Sequence, residues 1–203
     1  MRDDRIVTND DLGPWDPYDV SRVQQLFAPA DVRWWLSGGV ALDLFLGYAS
    51  RSHGDIDVSV LRDDWPVLEP HLTAWLDVHV AQGGQLTSVD ERQVTSDVHN
   101  LWAREDADGA WRVQVNLEEG DGSRWVYRRD PRISRTWEDV IWRDGAVPYV
   151  NPAVQLLWKA KQVRAKDQVD FDAVVPRLTA DERGWLSWAI DLAHPTSPWK
   201  GAT

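Results

Sequence analysis

The alternation of apolar and polar residues between positions 33 and 61 is the clearest structural signal in the chain. Residues 33–36 (RWWL) form a bulky run that predicts a buried strand, and the letters SGG follow directly. A stretch with helical spacing comes next and ends at Gly47, and glycine is common at the C-terminal ends of helices. Residues 55–61 (DIDVSVL) alternate again. They predict a second strand on which Asp55 and Asp57 share one face and the apolar residues point into the core.

The rest of the pattern separates a β-rich part from a helical part. A polar arm, residues 1–17, is expected to be loose and to precede an amphipathic helix at 18–27. A further helix is predicted from Asp63 through Trp75. Helical spacing returns after Pro148, with Asn151 and Thr179 as N-caps. Between these parts, short runs bounded by Gly, Asp and Asn predict strands at 78–80, 98–102, 111–117 and 125–127.

These elements predict an α/β (α+β) fold. We expect a short, twisted, mixed sheet that carries the Asp pair, flanked by helices and completed by a C-terminal helical cap. The change in pattern near Pro148 suggests a first domain at 1–147 and a helical region at 148–203. A chain of 203 residues is long enough to bury a sizeable core, and most of its 14 tryptophans are expected in that core or in cleft walls.

Asp55 and Asp57 are the first candidate for chemistry. Two carboxylates on one strand face repel each other unless a cation lies between them, and Mg²⁺ prefers oxygen ligands that it shares with phosphates. The alternative is an exposed strand edge with two solvated acids. The paired glycines 16 residues earlier, between two predicted strands, favour the metal.

The residues Ser37, Gly38 and Gly39 are the second candidate. They stand at the start of a predicted helix, where backbone N–H groups and the helix dipole favour an anion such as phosphate. The alternative is a tight turn without a ligand, because glycine adopts backbone conformations that other residues avoid.

Together these motifs resemble the polymerase-β-like nucleotidyltransferases, and within them the aminoglycoside adenylyltransferase branch. The resemblance rests on Gly38-Gly39, the helical residues ALD and LG, and the run RSHGDID at 51–57. It implies a nucleotidyltransferase fold in which Asp55 and Asp57 bind Mg²⁺ and the glycine turn holds the triphosphate of a nucleotide. It also implies a third carboxylate on a later strand.

The third carboxylate is where the sequence departs from the family pattern. On the predicted strand 111–117, either Gln114 or Asn116 takes the position at which the family has an acid. An amide accepts no proton from a hydroxyl, so neither can serve as a general base. Glu118 lies further along the same face and is the predicted base; its alternative is a solvated acid in the turn with Glu119.

Three further cations are candidates for phosphate contacts. Arg51 is predicted to hold a phosphate or to pair with Asp55. Lys159 and Lys161, in the predicted helical region, are candidates to reach the triphosphate, with solvation at the surface as the alternative for each. The nearby run KDQVDF at 166–171 also resembles the C-terminal signature of the family.

Composition narrows the range of partners. The net charge of −11 argues against stable DNA or RNA binding, and it favours a small cationic acceptor. The chain contains no cysteine, and its five histidines lack zinc-site spacing. No apolar stretch is long enough to span a membrane, so the sequence predicts a cytoplasmic protein.

The sequence therefore predicts an Mg²⁺-dependent nucleotidyltransferase that moves a nucleoside monophosphate, AMP from ATP or the equivalent from another NTP, onto a hydroxyl of a small, aminoglycoside-like acceptor. Two alternatives stay open. One is a nucleotide-binding module that has lost catalysis, and the other is a toxin-type transferase that modifies tRNA or protein.

Overall fold

The computed structural model describes residues 12–202, and the chain divides into two compact units. Unit 1 comprises residues 12–34 and 54–118, and unit 2 comprises residues 35–53 and 119–202. In the described part of the chain the helices are α1 (Val20–Phe27), α2 (Gly38–Leu46), α3 (Trp65–Thr73), α4 (Trp137–Val140), α5 (Pro152–Lys159), α6 (Ala165–Val174) and α7 (Ala180–Ala193). The strands are β1 (Trp34–Ser37), β2 (Asp57–Leu61), β3 (Asp77–Gln82), β4 (Gln85–Ser88), β5 (Asn100–Arg104), β6 (Trp111–Gly120), β7 (Arg124–Val126), β8 (Ser134–Thr136), β9 (Ile141–Asp144) and β10 (Val147–Val150).

Unit 1 is built on a mixed sheet with the strand order β4-β3-β5-β6-β2. Strands β4, β3, β5 and β6 pair antiparallel, whereas β2 pairs with β6 in parallel. The parallel register sets Asp57 opposite Gln114 and Leu61 opposite Glu118. The alternating residues Val58 and Val115 are fully buried, so one face of these strands belongs to the core and the other carries the polar side chains.

The segment before α1 is paired rather than loose. The backbone N–H of Trp111 donates to the carbonyl of Pro14, and the N–H groups of Asp16 and Tyr18 donate to the carbonyls of Trp111 and Arg112. Because β2 begins to pair with β6 only at Gln114, the first residues of β6 lack a partner on that side, and this segment supplies it. The predicted loose arm is therefore wrong for residues 12–17, and residues 1–11 lie outside the described part.

Unit 2 combines short strands with four longer helices. Strand β1 pairs in parallel with β10, β10 pairs antiparallel with β9, and the last two residues of β6 pair with β7. The predicted N-caps are confirmed: the Asn151 side chain accepts the N–H of Ala153, and the Thr179 side chain accepts the N–H of Glu182. The helices predicted after Pro148 are present as α5, α6 and α7.

The structure confirms a mixed sheet with helices and corrects several boundaries. Strand β2 begins at Asp57, so Asp55 precedes it instead of sharing its pleat. The sheet is also larger than the short one expected, since unit 1 alone contributes five strands. As predicted, most tryptophans are buried, namely Trp34, Trp35, Trp65, Trp102, Trp111, Trp125, Trp137 and Trp199. Within residues 12–202, none of the helices has the length and apolar character needed to cross a membrane.

The hairpin that joins β6 to β7 yields a test of the fold. Gly120 has a φ of 155°, and a Cβ at this position would lie 2.5 Å from the carbonyl oxygen of Arg124. We expect Gly120→Ala to lower the free energy of unfolding by about 1–3 kcal/mol, because the new methyl group meets backbone in a conformation that disfavours side chains. Urea unfolding followed by circular dichroism measures the change.

Gly122→Ala is the matched control, because it lies in the same turn and a Cβ there would meet open space. The control should unfold within about 0.5 kcal/mol of the wild type. Equal losses in the two variants would contradict the assigned backbone geometry.

Candidate functional site

In unit 1, Asp57 is surrounded by amides rather than by a second acid on β6. The Nε2 of Gln114 donates to Oδ1 of Asp57 at 2.8 Å, and the Nδ2 of Asn116 donates to the same oxygen at 3.2 Å. The register thus confirms that Gln114 is the residue directly beside Asp57, while Asn116 lies opposite Ser59. Hydrogen bonds from two amides stabilise the charged carboxylate without neutralising it.

The orientation of these amides is fixed by Trp102 on β5. Its indole Nε1–H donates to Oε1 of Gln114 at 2.8 Å, and Nε2 of Gln114 donates to Oδ1 of Asn116 at 2.8 Å. An indole N–H can only donate, so Oε1 of Gln114 must face Trp102 and the Gln114 NH₂ group must face Asp57. The indole of Trp102 therefore fixes which atoms donate and which accept in the row Trp102–Gln114–Asp57.

The other predicted acids of unit 1 occupy different surroundings. Asp55 is half-buried and follows Gly54 at the end of the loop that precedes β2. Glu118 is only 6% exposed, so the alternative of a solvated turn acid is wrong for it. The register places Glu118 four residues beyond Gln114, about 13 Å along the strand. That spacing counts against a proton transfer beside Asp57, and the role of Glu118 as a base stays a prediction.

The donor set fits a metal ion that is shared with a ligand. Among residues 12–202, no group of three or more His, Asp or Glu side chains could hold a metal ion by itself. Mg²⁺ commonly binds proteins through one or two carboxylates and completes its shell with water and phosphate oxygens. Asp55 and Asp57 would supply the two carboxylates of such a site, whereas a cage made of protein ligands alone is not present in this part of the chain.

In unit 2, the glycine pair is held by protein groups. The N–H of Gly38 donates to Oε1 of Gln155 at 2.7 Å, and Gly38 has a φ of 71°. A Cβ on Gly39 would lie 2.3 Å from the ring of His53 and 2.6 Å from Nη2 of Arg51. The positive φ favours glycine at position 38, and a side chain at position 39 would require His53 and Arg51 to move, whether or not a phosphate binds there. Ser37 is buried and precedes α2 as its N-cap residue.

A buried ionic network joins the loop after α2 to helices α5 and α6. Arg51 makes two bonds to the Asp170 carboxylate, at 2.7 and 3.0 Å. The Nζ of Lys159 lies 2.8 Å from Asp167 and 3.0 Å from Asp170. Arg164 completes the network by a 2.7 Å bond to Asp167. The alternative of a solvated Lys159 is wrong, since only 8% of its side chain is exposed.

The network keeps its two acids charged. Burial alone would raise the pKa of Asp170, but the hydrogen bond from Arg51 and the charge of Lys159 outweigh it and lower the pKa below its usual value. Burial acts in the same way on Asp167, and there Arg164 and Lys159 lower the pKa well below its usual range. The two acids of the KDQVDF run are therefore internal partners of cations, and Asp167 also accepts the backbone N–H of Arg164 at the start of α6.

The sequence analysis missed a second acid–base pair in unit 2. Nε2 of His53 lies 2.6 Å from Oδ2 of Asp43, and Oδ1 of Asp43 accepts bonds from the N–H and hydroxyl of Ser50. Ten residues separate Asp43 from His53, so no local spacing indicated the contact. Lys161, in contrast, lies in the turn after α5 and is exposed.

Comparison with known proteins gives one family and several structural relatives. The sequence model of the family described as aminoglycoside-2''-adenylyltransferase matches residues 19–155, about two thirds of the chain. No curated protein matches the chain. Among solved structures, the antibiotic-resistance factor ANT(2'')-Ia is similar with a TM-score of 0.55 at 15% identity, over 87% of this chain and 92% of that one.

Two further structures share this fold. The lincosamide antibiotic adenylyltransferase LnuA, bound to lincomycin, matches with a TM-score of 0.51 at 16% identity, over 83% of this chain and 96% of that one. ANT(2'')-Ia in complex with adenylyl-2''-tobramycin matches with a TM-score of 0.53 at 14% identity, over 85% and 97%. At these identities the likeness shows the fold.

The ionic network of unit 2 predicts a strong and pH-dependent effect of one substitution. Asp170→Asn leaves Arg51 and Lys159 buried without their shared carboxylate, so we expect the free energy of unfolding to fall by about 3–5 kcal/mol at pH 7. Because the folded-state pKa values of Asp167 and Asp170 are lowered, their stabilisation is present above the unfolded pKa of about 3.9 and is lost as the pH falls below it.

Urea unfolding between pH 7 and pH 3 measures both effects. Asp172→Asn is the control, since Asp172 is exposed on the same helix and accepts a bond only from Gln168. It should change stability by less than about 0.5 kcal/mol. If Asp170→Asn and Asp172→Asn unfold alike at pH 7, the network does not stabilise the folded state.

Proposed function

Because the chain belongs to the aminoglycoside-2''-adenylyltransferase family, we propose that it transfers AMP from ATP to a hydroxyl group of a small cationic acceptor. The observation that carries the proposal is the family match over residues 19–155, which includes both the glycine pair and the Asp pair. Membership makes the chain a nucleotidyltransferase. The nucleotide, the metal and the acceptor are parts of the proposal.

Asp55 and Asp57 are proposed to hold Mg²⁺, which would offset the negative charge of the triphosphate. Support comes from the oxygen donors of the two carboxylates and from the hydrogen bonds that orient Asp57. In the reaction the acceptor oxygen forms a bond to the α-phosphorus, the bond from that phosphorus to the bridging oxygen breaks, and pyrophosphate leaves. The hydroxyl proton must pass to a base.

Ser37, Gly38 and Gly39 are proposed to contact the triphosphate, with Arg51 and Lys159 as nearby cations within unit 2. The geometry of the network is consistent with an electrostatic role for these two cations. Both are tied to Asp170, so their charges are already oriented by protein bonds and need little reorganisation. Lys161 is exposed, so its contribution would require the side chain to be recruited by a ligand. The proposed catalytic region remains 1–147, with 148–203 supplying Lys159 and the network acids.

The acceptor is proposed to be an aminoglycoside-like polycation. The net charge of −11 attracts cations at long range, and it disfavours nucleic acid. LnuA was solved with lincomycin and ANT(2'')-Ia with adenylyl-2''-tobramycin, so proteins of this fold accept antibiotics of two kinds. A reaction that consumes ATP suits the cytoplasm, which is the location we propose.

A second candidate is a nucleotide-binding module without turnover. It is favoured by Gln114, which lies directly opposite Asp57 and cannot take a proton. Such a module would bind ATP but would release no pyrophosphate. A toxin-type reaction on tRNA or protein remains a further alternative, with no contact in the described residues that favours it.

The first experiment tests the reaction and its metal together. Pyrophosphate release from ATP and Mg²⁺ is followed with aminoglycosides and lincosamides as acceptors, for the wild type and Asp57→Asn. We expect release by the wild type with at least one acceptor and a loss of more than about 100-fold in Asp57→Asn, because the metal loses one of two carboxylates. Asp90→Asn, an exposed acid of unit 1, is the control and should retain the wild-type rate.

The outcome separates the two candidates. ATP binding by calorimetry without pyrophosphate release, with every acceptor, would favour the binding module. Equal rates in Asp57→Asn and the wild type would remove Asp57 from the metal site.

The second experiment concerns the base. Loss of a positioned base typically lowers the rate about 10²–10⁴-fold, so that loss in Glu118→Gln, with unchanged ATP affinity, would identify Glu118 as the base. We expect that loss of rate in Glu118→Gln, and a kcat within about threefold of the wild type would remove Glu118 as the base, in keeping with its position about 13 Å beyond Gln114 along β6. Glu119→Gln is the control for removing a neighbouring charge.

A further inference from the structure

Gln114 stands where an acid was expected, and a row of hydrogen bonds that begins at Trp102 fixes the orientation of its side chain. Both protons of its NH₂ group are used, one towards Asp57 and one towards Asn116, and its oxygen accepts the indole N–H of Trp102. All three bonds are 2.8 Å long. The side chain therefore has one orientation, with donors directed at the carboxylate.

A carboxylate in the same place would have the opposite effect on Asp57. Two adjacent carboxylates repel each other without a cation, and each raises the cost of ionising the other. The amide instead provides a favourable bond to the charged form of Asp57 in the absence of any metal. The same amide lowers the affinity of the site for cations, because N–H groups and not oxygens occupy that side of the carboxylate.

We propose that Gln114 is a positioning residue, which clamps Asp57 through donors and thereby makes the metal-free site stable and its affinity for divalent cations low. This inference rests on the proposed function, since it assigns the affinity of the same metal site. A low affinity for the ion alone means that the nucleotide, which brings its own phosphate oxygens, must complete the site.

The test compares the binding of Mn²⁺ alone to the full chain, followed by electron paramagnetic resonance, in the wild type and Gln114→Glu. The glutamate can still accept the Trp102 N–H but turns a second carboxylate oxygen towards Asp57. We expect Gln114→Glu to bind Mn²⁺ at least tenfold more tightly than the wild type. Without metal, it should melt at a lower temperature, and Mn²⁺ should restore that loss.

Gln85→Glu is the matched control. It makes the same change of charge in the same unit, at an exposed position on β4 that neither Asp57 nor Gln114 contacts in the register of the sheet. A merely electrostatic effect of one added charge would appear in both variants. If Gln114→Glu and Gln85→Glu have the same Mn²⁺ affinity and the same metal-free melting temperature, the proposal is overturned.

A second variant keeps the test decisive if Gln114→Glu does not fold. Trp102→Phe retains a buried ring but removes the N–H that fixes the amide, so Oε1 of Gln114 can turn towards a cation. We expect Mn²⁺ affinity to rise about two- to tenfold, the scale of one hydrogen bond. Unchanged Mn²⁺ affinity in this variant would show that the orientation of Gln114 does not control the site.

The result is independent of turnover. A wild type that transfers no AMP to any acceptor refutes the proposed function, while a tighter Mn²⁺ site in Gln114→Glu still supports the clamp. Conversely, an active wild type with identical Mn²⁺ affinities in Gln114→Glu and Gln85→Glu retains the proposed function and removes the clamp.

Discussion

Carboxylates that leave water must be met by donors, and the two units of this chain meet that requirement in different ways. In unit 2, Asp167 and Asp170 are paired with Arg51, Lys159 and the more exposed Arg164. In unit 1, Asp57 is met by the neutral amides of Gln114 and Asn116. These amides carry no charge, so they stabilise the charged carboxylate of Asp57 without adding a positive charge of their own.

The glycine pair shows how one motif has two sufficient explanations. A phosphate that approaches the backbone requires glycine, and so does a crowded turn. Here the ring of His53 and the guanidinium of Arg51 fill the space beside Gly39, and Gln155 accepts the N–H of Gly38. The local structure therefore gives a reason for glycine at both positions that does not involve a phosphate.

The sequence predicted those parts of the fold that are encoded locally. Periodicity and capping residues located α1, α2, α5 and α7, and alternation located β2 and β6, since neighbouring residues determine these patterns. The short elements β8, α4, β9 and β10 were missed, because three or four residues with mixed polarity carry no period. The prediction of a loose N-terminal arm was wrong for a related reason. Residues 12–17 pair with the free side of the start of β6, almost a hundred residues away in the sequence.

In the candidate site, too, the sequence predicted local features and missed contacts between distant residues. Asp55, Asp57 and the glycine pair were visible because family motifs are local, whereas the contacts that decide their chemistry are not. Arg51 and Asp170 are 119 residues apart, and nothing in either neighbourhood indicates the other. The sequence offered Gln114 or Asn116 for the position at which the family has an acid. Only the structure shows that Gln114 lies opposite Asp57 and that both amides donate to its carboxylate.

That register also determines what catalysis would require. An acceptor hydroxyl that attacks phosphorus near Asp57 meets N–H donors on β6, which stabilise negative charge but take no proton. In the proposed reaction the hydroxyl proton therefore has to pass to a group other than Gln114 and Asn116, and Glu118 is the acid of β6 proposed for that step. Because Glu118 lies about 13 Å beyond Gln114 along β6, the position of the acceptor relative to Glu118 decides whether this acid can take the proton.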